Sequence, residues 1–81
     1  MTATLDLTEW RAIGRVLLDS HRDYPPGLFA KLDAVRFPDG PSVKVTLTVA
    51  EWRFIRDETR EDDEIGSQLV TNYLTVMLMT V

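Results

Sequence analysis

Apolar and polar residues alternate strictly in two stretches of this chain. Ala3, Leu5 and Leu7 stand against Thr4, Asp6 and Thr8, and Val43, Val45, Leu47 and Val49 stand against Lys44, Thr46 and Thr48. A period of two is the signature of a strand with one buried and one polar face. A helix signal follows each. Thr8 is placed to cap a helix carrying Glu9 in its first turn, and Thr48 does the same ahead of Glu51. Trp10, Ile13, Leu17 and Leu18 then share one helical face, as do Trp52 and Ile55.

Tyr24-Pro25-Pro26-Gly27 cannot continue the first helix, which is expected to stop near Ser20. A second helix is expected from Pro26, with Leu28, Phe29, Leu32 and Val35 as its buried stripe. Phe37-Pro38-Asp39-Gly40-Pro41 reads as a turn into the second strand. Near the end, Asp57 to Glu64 is almost all charge, whereas Ile65 to Val81 has none. As a helix, that last segment gathers Leu69, Val70, Tyr73, Leu74, Met77, Leu78 and Val81 into a broad apolar stripe. Its Thr, Val and Tyr content also permits a competing third strand over Tyr73 to Val81.

The two halves repeat one another. Leu5-Asp6-Leu7-Thr8-Glu9-Trp10-Arg11-Ala12-Ile13 returns as Val45-Thr46-Leu47-Thr48-Val49-Ala50-Glu51-Trp52-Arg53-Phe54-Ile55, with two extra residues before the glutamate. The expectation is an α+β fold from a duplicated β-α-α unit, with pseudo-repeats 3–37 and 42–81 in a single domain, 1–81. In it a two-stranded antiparallel ribbon packs against about four helices around a pseudo-twofold, and Trp10 and Trp52 are symmetry-related core residues. Eighty-one residues bury only about 60% of the surface exposed on unfolding, which favours one core and a modest stability.

Composition narrows the function. With 44% apolar and 27% charged residues and no cysteine, the chain fits a globular domain of a reducing cytoplasm, without disulfides, thiolate catalysis or cysteine-based zinc sites. No basic segment followed by an apolar run opens it, so no signal peptide is expected. Gly66, Ser67, Gln68, Thr71, Asn72, Thr75 and Thr80 make the tail too polar, and its length too short, for a spanning helix. The net charge of -4 opposes phosphate neutralisation, hence nucleic-acid binding, and favours basic protein surfaces as partners.

Catalytic constellations are weak. Ser20 and the lone His21 are sequence neighbours, which rarely supply the geometry of a nucleophile and its base, and a histidine at a helix end is favoured by the dipole. Glu61, Asp62, Asp63 and Glu64 lack the alternation and glycine of a calcium loop and read better as charges at a helix amino terminus. Gly14, Gly27, Gly40 and Gly66 are isolated, so no phosphate cradle exists. No enzyme activity, cofactor or metal is expected.

A strand-helix-helix unit in duplicate, with Gly66-Ser67 before the last helix, resembles the tandem ribbon-helix-helix proteins. That resemblance implies a DNA-reading ribbon and a transcription regulator. Here the reading face carries Thr4, Asp6, Lys44, Thr46 and Thr48, where DNA readers favour Arg, Lys, Asn or Gln. The Leu-Thr-x-x-Glu-Trp-Arg-x-Ile wording, the short length and the lack of cysteine also resemble small accessory proteins of actinobacterial phages. This second resemblance implies a cytoplasmic modulator of a host or phage macromolecule. The leading expectation is therefore a non-catalytic protein-binding module, with the DNA-binding regulator as the alternative. A bare ribbon and a very apolar tail favour a homodimer. Leu69, Tyr73, Leu74, Met77 and Leu78 are expected in or under its interface, with Arg11 and Arg53 as partner contacts. Arg53 or Arg56 with Asp57, or Arg60 with Glu64, are the alternative ion pairs on a solvated helix face.

Overall fold

The computed structural model describes residues 1–19, 23–35 and 40–80. Ser20, His21, the Phe37-Pro38-Asp39 part of the expected turn and Val81 lie outside the described residues. The elements run β1 (Thr2–Asp6), α1 (Leu7–Asp19), α2 (Leu28–Asp33), β2 (Ser42–Thr46), α3 (Val49–Arg60) and α4 (Ile65–Met79). The fold is α+β, with one two-stranded antiparallel sheet.

Register follows from the alternation. Ala3 pairs with Val45 and Leu5 with Val43, so all four point into the core while Thr2, Thr4, Asp6, Ser42, Lys44 and Thr46 face out. A slip of one residue would exchange the two faces, so burial itself pins the pairing. Beyond the sheet proper, Met1 and Leu47 exchange backbone hydrogen bonds of 3.1 and 3.0 Å. The Trp52 indole N–H donates to the same Met1 carbonyl at 2.9 Å. A fully buried tryptophan needs a partner for that N–H, and the strand end supplies it.

The two strand-to-helix junctions use the same device at different points. Asp6 and Glu9 exchange side-chain-to-backbone hydrogen bonds of 3.0 and 2.8 Å, and Thr48 and Glu51 do so at 2.8 and 3.1 Å. Both are capping boxes, in which the cap and the third helical residue satisfy each other's orphan N–H groups. Asp6 therefore replaces Thr8 as the cap of α1, because only Asp6 lies three residues before Glu9. The helix starts directly after β1, whereas Leu47-Thr48 connects β2 to α3.

The tail is helical from Ile65 to Met79. Ser67, Val70, Leu74 and Leu78 form its buried face against α1 and α3. Crossing is close at Gly66, where an added Cβ would stand 3.1 Å from the Ala12 Cβ and 3.3 Å from the Thr8 carbonyl oxygen. Between α3 and α4 the buried Thr59 hydroxyl meets that of Thr71 at 2.9 Å, which satisfies a polar pair in an otherwise apolar seam. Tyr73 reaches the other way, its hydroxyl accepting the Thr4 N–H at 3.3 Å and covering part of the β1 edge.

The first half departs further from expectation. The short α2 begins at Leu28 rather than Pro26, because Gly27 turns the chain at φ 81° in the left-handed region. Leu28 and Leu32 are buried, Val35 packs half-buried on the core, and Phe29 is exposed. In α1 the buried set is Ala12, Ile13, Val16 and Leu17. Leu18, expected on that face, is 77% exposed.

Candidate functional site

An apolar groove runs between α1 and α2, with a volume of about 710 Å³. Leu7, Trp10, Ile13, Gly14, Leu17 and Leu18 form one wall and Phe29 and Leu32 the other, with Arg11 and Asp33 as its ionisable lining residues. Volume and chemistry fall within the range of sites that hold a small molecule or the anchor side chains of a peptide.

The sequence builds this groove by giving α1 two apolar faces. Ile13 and Leu17 belong to the core and also floor the groove, while Trp10 is half-buried beside them. The two tryptophans are thus not equivalent: Trp52 is sealed in the core, and Trp10 lies at the core's edge and opens onto the groove. Gly14 sits in the middle of α1, where glycine costs about 1 kcal/mol relative to alanine. A Cβ there would meet nothing within 4 Å among the described residues. No packing constraint among the described residues demands that glycine, yet a side chain at this position would enter the groove.

The connection between the groove's walls is braced from behind. Tyr24 donates its hydroxyl to the Leu17 carbonyl and packs edge-on against Phe29 and Phe54, with ring centres 4.4 and 5.7 Å away. Lys31 of α2 contacts the buried Glu51 of α3 at 2.7 Å. Burial by itself would raise the Glu51 carboxyl, but hydrogen bonds from Lys31 and from Thr48 overcome it and hold the group below its ordinary pKa.

The seven residues expected at an interface do not share one surface. Leu69 and Tyr73 are exposed on α4, Met77 is half-buried, and Leu74 and Leu78 lie in the core beneath them. Arg11 lines the groove, whereas Arg53 is exposed on α3 and is not part of the groove. Arg56 pairs with Asp57 at 3.1 Å.

The acidic run has a specific cation. Arg15 of α1 pairs with Asp62, lies 3.3 Å from Glu64 and donates to the Ser67 hydroxyl at 3.2 Å, tying α1 to the start of α4. Hydrogen bonds from Arg15 and then Ser67 lower the Asp62 pKa from 3.8 to about 2. Among the described residues, no group of three His, Asp or Glu side chains is arranged to hold a metal ion, and no helix is long and apolar enough to cross a membrane.

A depressed carboxyl pKa stabilises the folded state above the unfolded value, and that contribution fades as pH falls through the folded one. The urea midpoint is therefore expected to drop between pH 4 and pH 2. In Asp62→Asn the midpoint should be lower than wild type at pH 7, and the acid-side fall should be shallower, with Glu51 retaining the rest. Parallel acid profiles for the two chains would show that the Arg15 pairing contributes nothing in solution.

No family model, curated protein or solved structure matches this chain. What the groove can do must come from its own chemistry. Among the described residues, apolar walls flanked by one arginine and one aspartate offer burial and orientation. The ribbon's outer face is equally poor in charge, with Lys44 and Asp6 cancelling one another.

Proposed function

We propose that this chain is a non-catalytic protein-binding module that acts in the cytoplasm, of the kind phages encode as accessory proteins. It grips an amphipathic segment of another protein in the groove between α1 and α2. Gly14 carries this reading, since a helix-weakening glycine with open space above it makes sense where a partner's side chain must approach the α1 backbone. Trp10, Leu18 and Phe29 would supply the apolar anchoring, and Arg11 and Asp33 the orientation. The module descends from a duplicated β-α-α unit. Two capping boxes at corresponding glutamates support that descent, as does the pairing of Thr4 with Lys44, the same forty-residue offset that aligns Leu5 with Val45.

The ribbon-helix-helix reading requires the outer ribbon face to bind phosphates and bases, and one lysine beside one aspartate is a weak basis for either. A gel shift on mixed DNA is expected to show no complex at any salt concentration.

Gly14→Arg tests the groove directly. The variant should fold, because the added side chain has room. Captured from a lysate of the native cell, a partner retained by wild type should be lost by Gly14→Arg. An identical set of captured proteins from both chains, or none from wild type, would remove the groove as the binding surface.

A further inference from the structure

We infer that the outward face of α4 binds a second copy of this chain, helix against helix, antiparallel across a twofold axis near Asn72. This inference does not depend on the groove, which lies on the other side of α1.

Ile65, Val76 and Met79 are 77, 65 and 79% exposed, and Leu69 and Tyr73 are exposed along the same face. At 3.6 residues per turn these five fall in one stripe about 20 Å long, opposite the buried Ser67, Val70, Leu74 and Leu78. α4 is thus apolar on both sides. The stripe presents on the order of 500 Å² of apolar surface, the size of patch that marks a contact site. Asn72 lies within the stripe and Gln68 and Thr75 flank it, so the face is uncharged throughout.

Two observations select a second copy as the occupant. No charged residue occurs from Ile65 to Met79, so the stripe offers no ionic feature for a charged partner to match but is complementary to itself. Acidic residues are concentrated at one end only, with Asp63 and Glu64 exposed just before α4. Parallel pairing would bring these clusters together, whereas antiparallel pairing puts them at opposite ends, beyond a Debye length. Antiparallel alignment about an axis at Asn72 brings the two Asn72 side chains together and places Leu69 of one copy within one residue of Val76 of the other. An amide both donates and accepts, so two of them can bond reciprocally there.

Because the chain has no cysteine, Asn72→Cys is a single-thiol probe of the axis. Sedimentation of wild type should give a dimer, and mild oxidation of Asn72→Cys should yield a disulfide-linked dimer almost completely, while the exposed control Arg53→Cys stays uncrosslinked. Val76→Asp should sediment as a folded monomer with unchanged circular dichroism. Wild type that sediments as a monomer at high concentration, Val76→Asp that stays dimeric, or Asn72→Cys that crosslinks no better than Arg53→Cys would each overturn the inference. Gly14→Arg should remain dimeric, which separates this surface from the groove.

Discussion

Trp52→Ala should remove about 3–5 kcal/mol of stability, the usual cost of emptying a fully buried tryptophan site. A chain of 81 residues has only about 4–12 kcal/mol in total, so the variant should be largely unfolded in mild urea. The cost arises from three losses together. The indole sits at 0% exposure in the centre of the core, its N–H holds the Met1 carbonyl, and Met1 in turn closes the end of the ribbon onto Leu47. Trp10→Ala should cost less than half as much, because Trp10 packs on the core with one side only. Equal urea midpoints for the two variants would mean that both tryptophans are core residues of the same rank.

Leu74→Ala ranks second, at about 2–5 kcal/mol. Leu74 is fully buried on the core-facing side of α4, opposite the exposed stripe. Leu69→Ala, on the outer face, should stay within about 0.5 kcal/mol. Both changes are best measured by urea unfolding in the Val76→Asp background, which isolates the single chain from any association. A large loss for Leu69→Ala in that background would show that α4 is seated differently.

Much of this molecule was legible as pattern. Strict alternation in Ala3 to Leu5 and Val43 to Leu47 fixes both strands and their inner faces, because one side of the sheet is buried and the other is solvated. The three-and-four spacing from Val70 to Leu78 fixes α4 over the competing third strand. Side-chain chemistry at the junctions was read less well. Thr8 looked like a cap, but a reciprocal bond needs its glutamate three residues on, and Asp6 meets that condition.

The groove was illegible for a different reason. Leu18 and Phe29 look like core residues by hydrophobicity alone, and periodicity cannot tell a face packed on the core from one left open beside it. Only the placement of α2 decides, and that rests on the turn at Gly27 and the brace of Tyr24. The one available signal was Gly14, an isolated glycine amid an otherwise good helical pattern. Arg15 was similarly silent, since its partners Asp62 and Glu64 are brought to it by the crossing of α1 and α4. The repeated Glu-Trp-Arg wording likewise concealed a difference: α2 has 6 residues and α4 has 15, and Trp10 faces a groove where Trp52 faces a core.

The thermal unfolding of Gly14→Ala bears most directly on the idea that α1 keeps this groove open at the expense of its own helix. With free space above the backbone and only helical propensity at stake, the midpoint should rise by about 4–8 °C for a gain of about 1 kcal/mol. A midpoint that falls would mean that something packs against Gly14 in solution, and that the groove is closed.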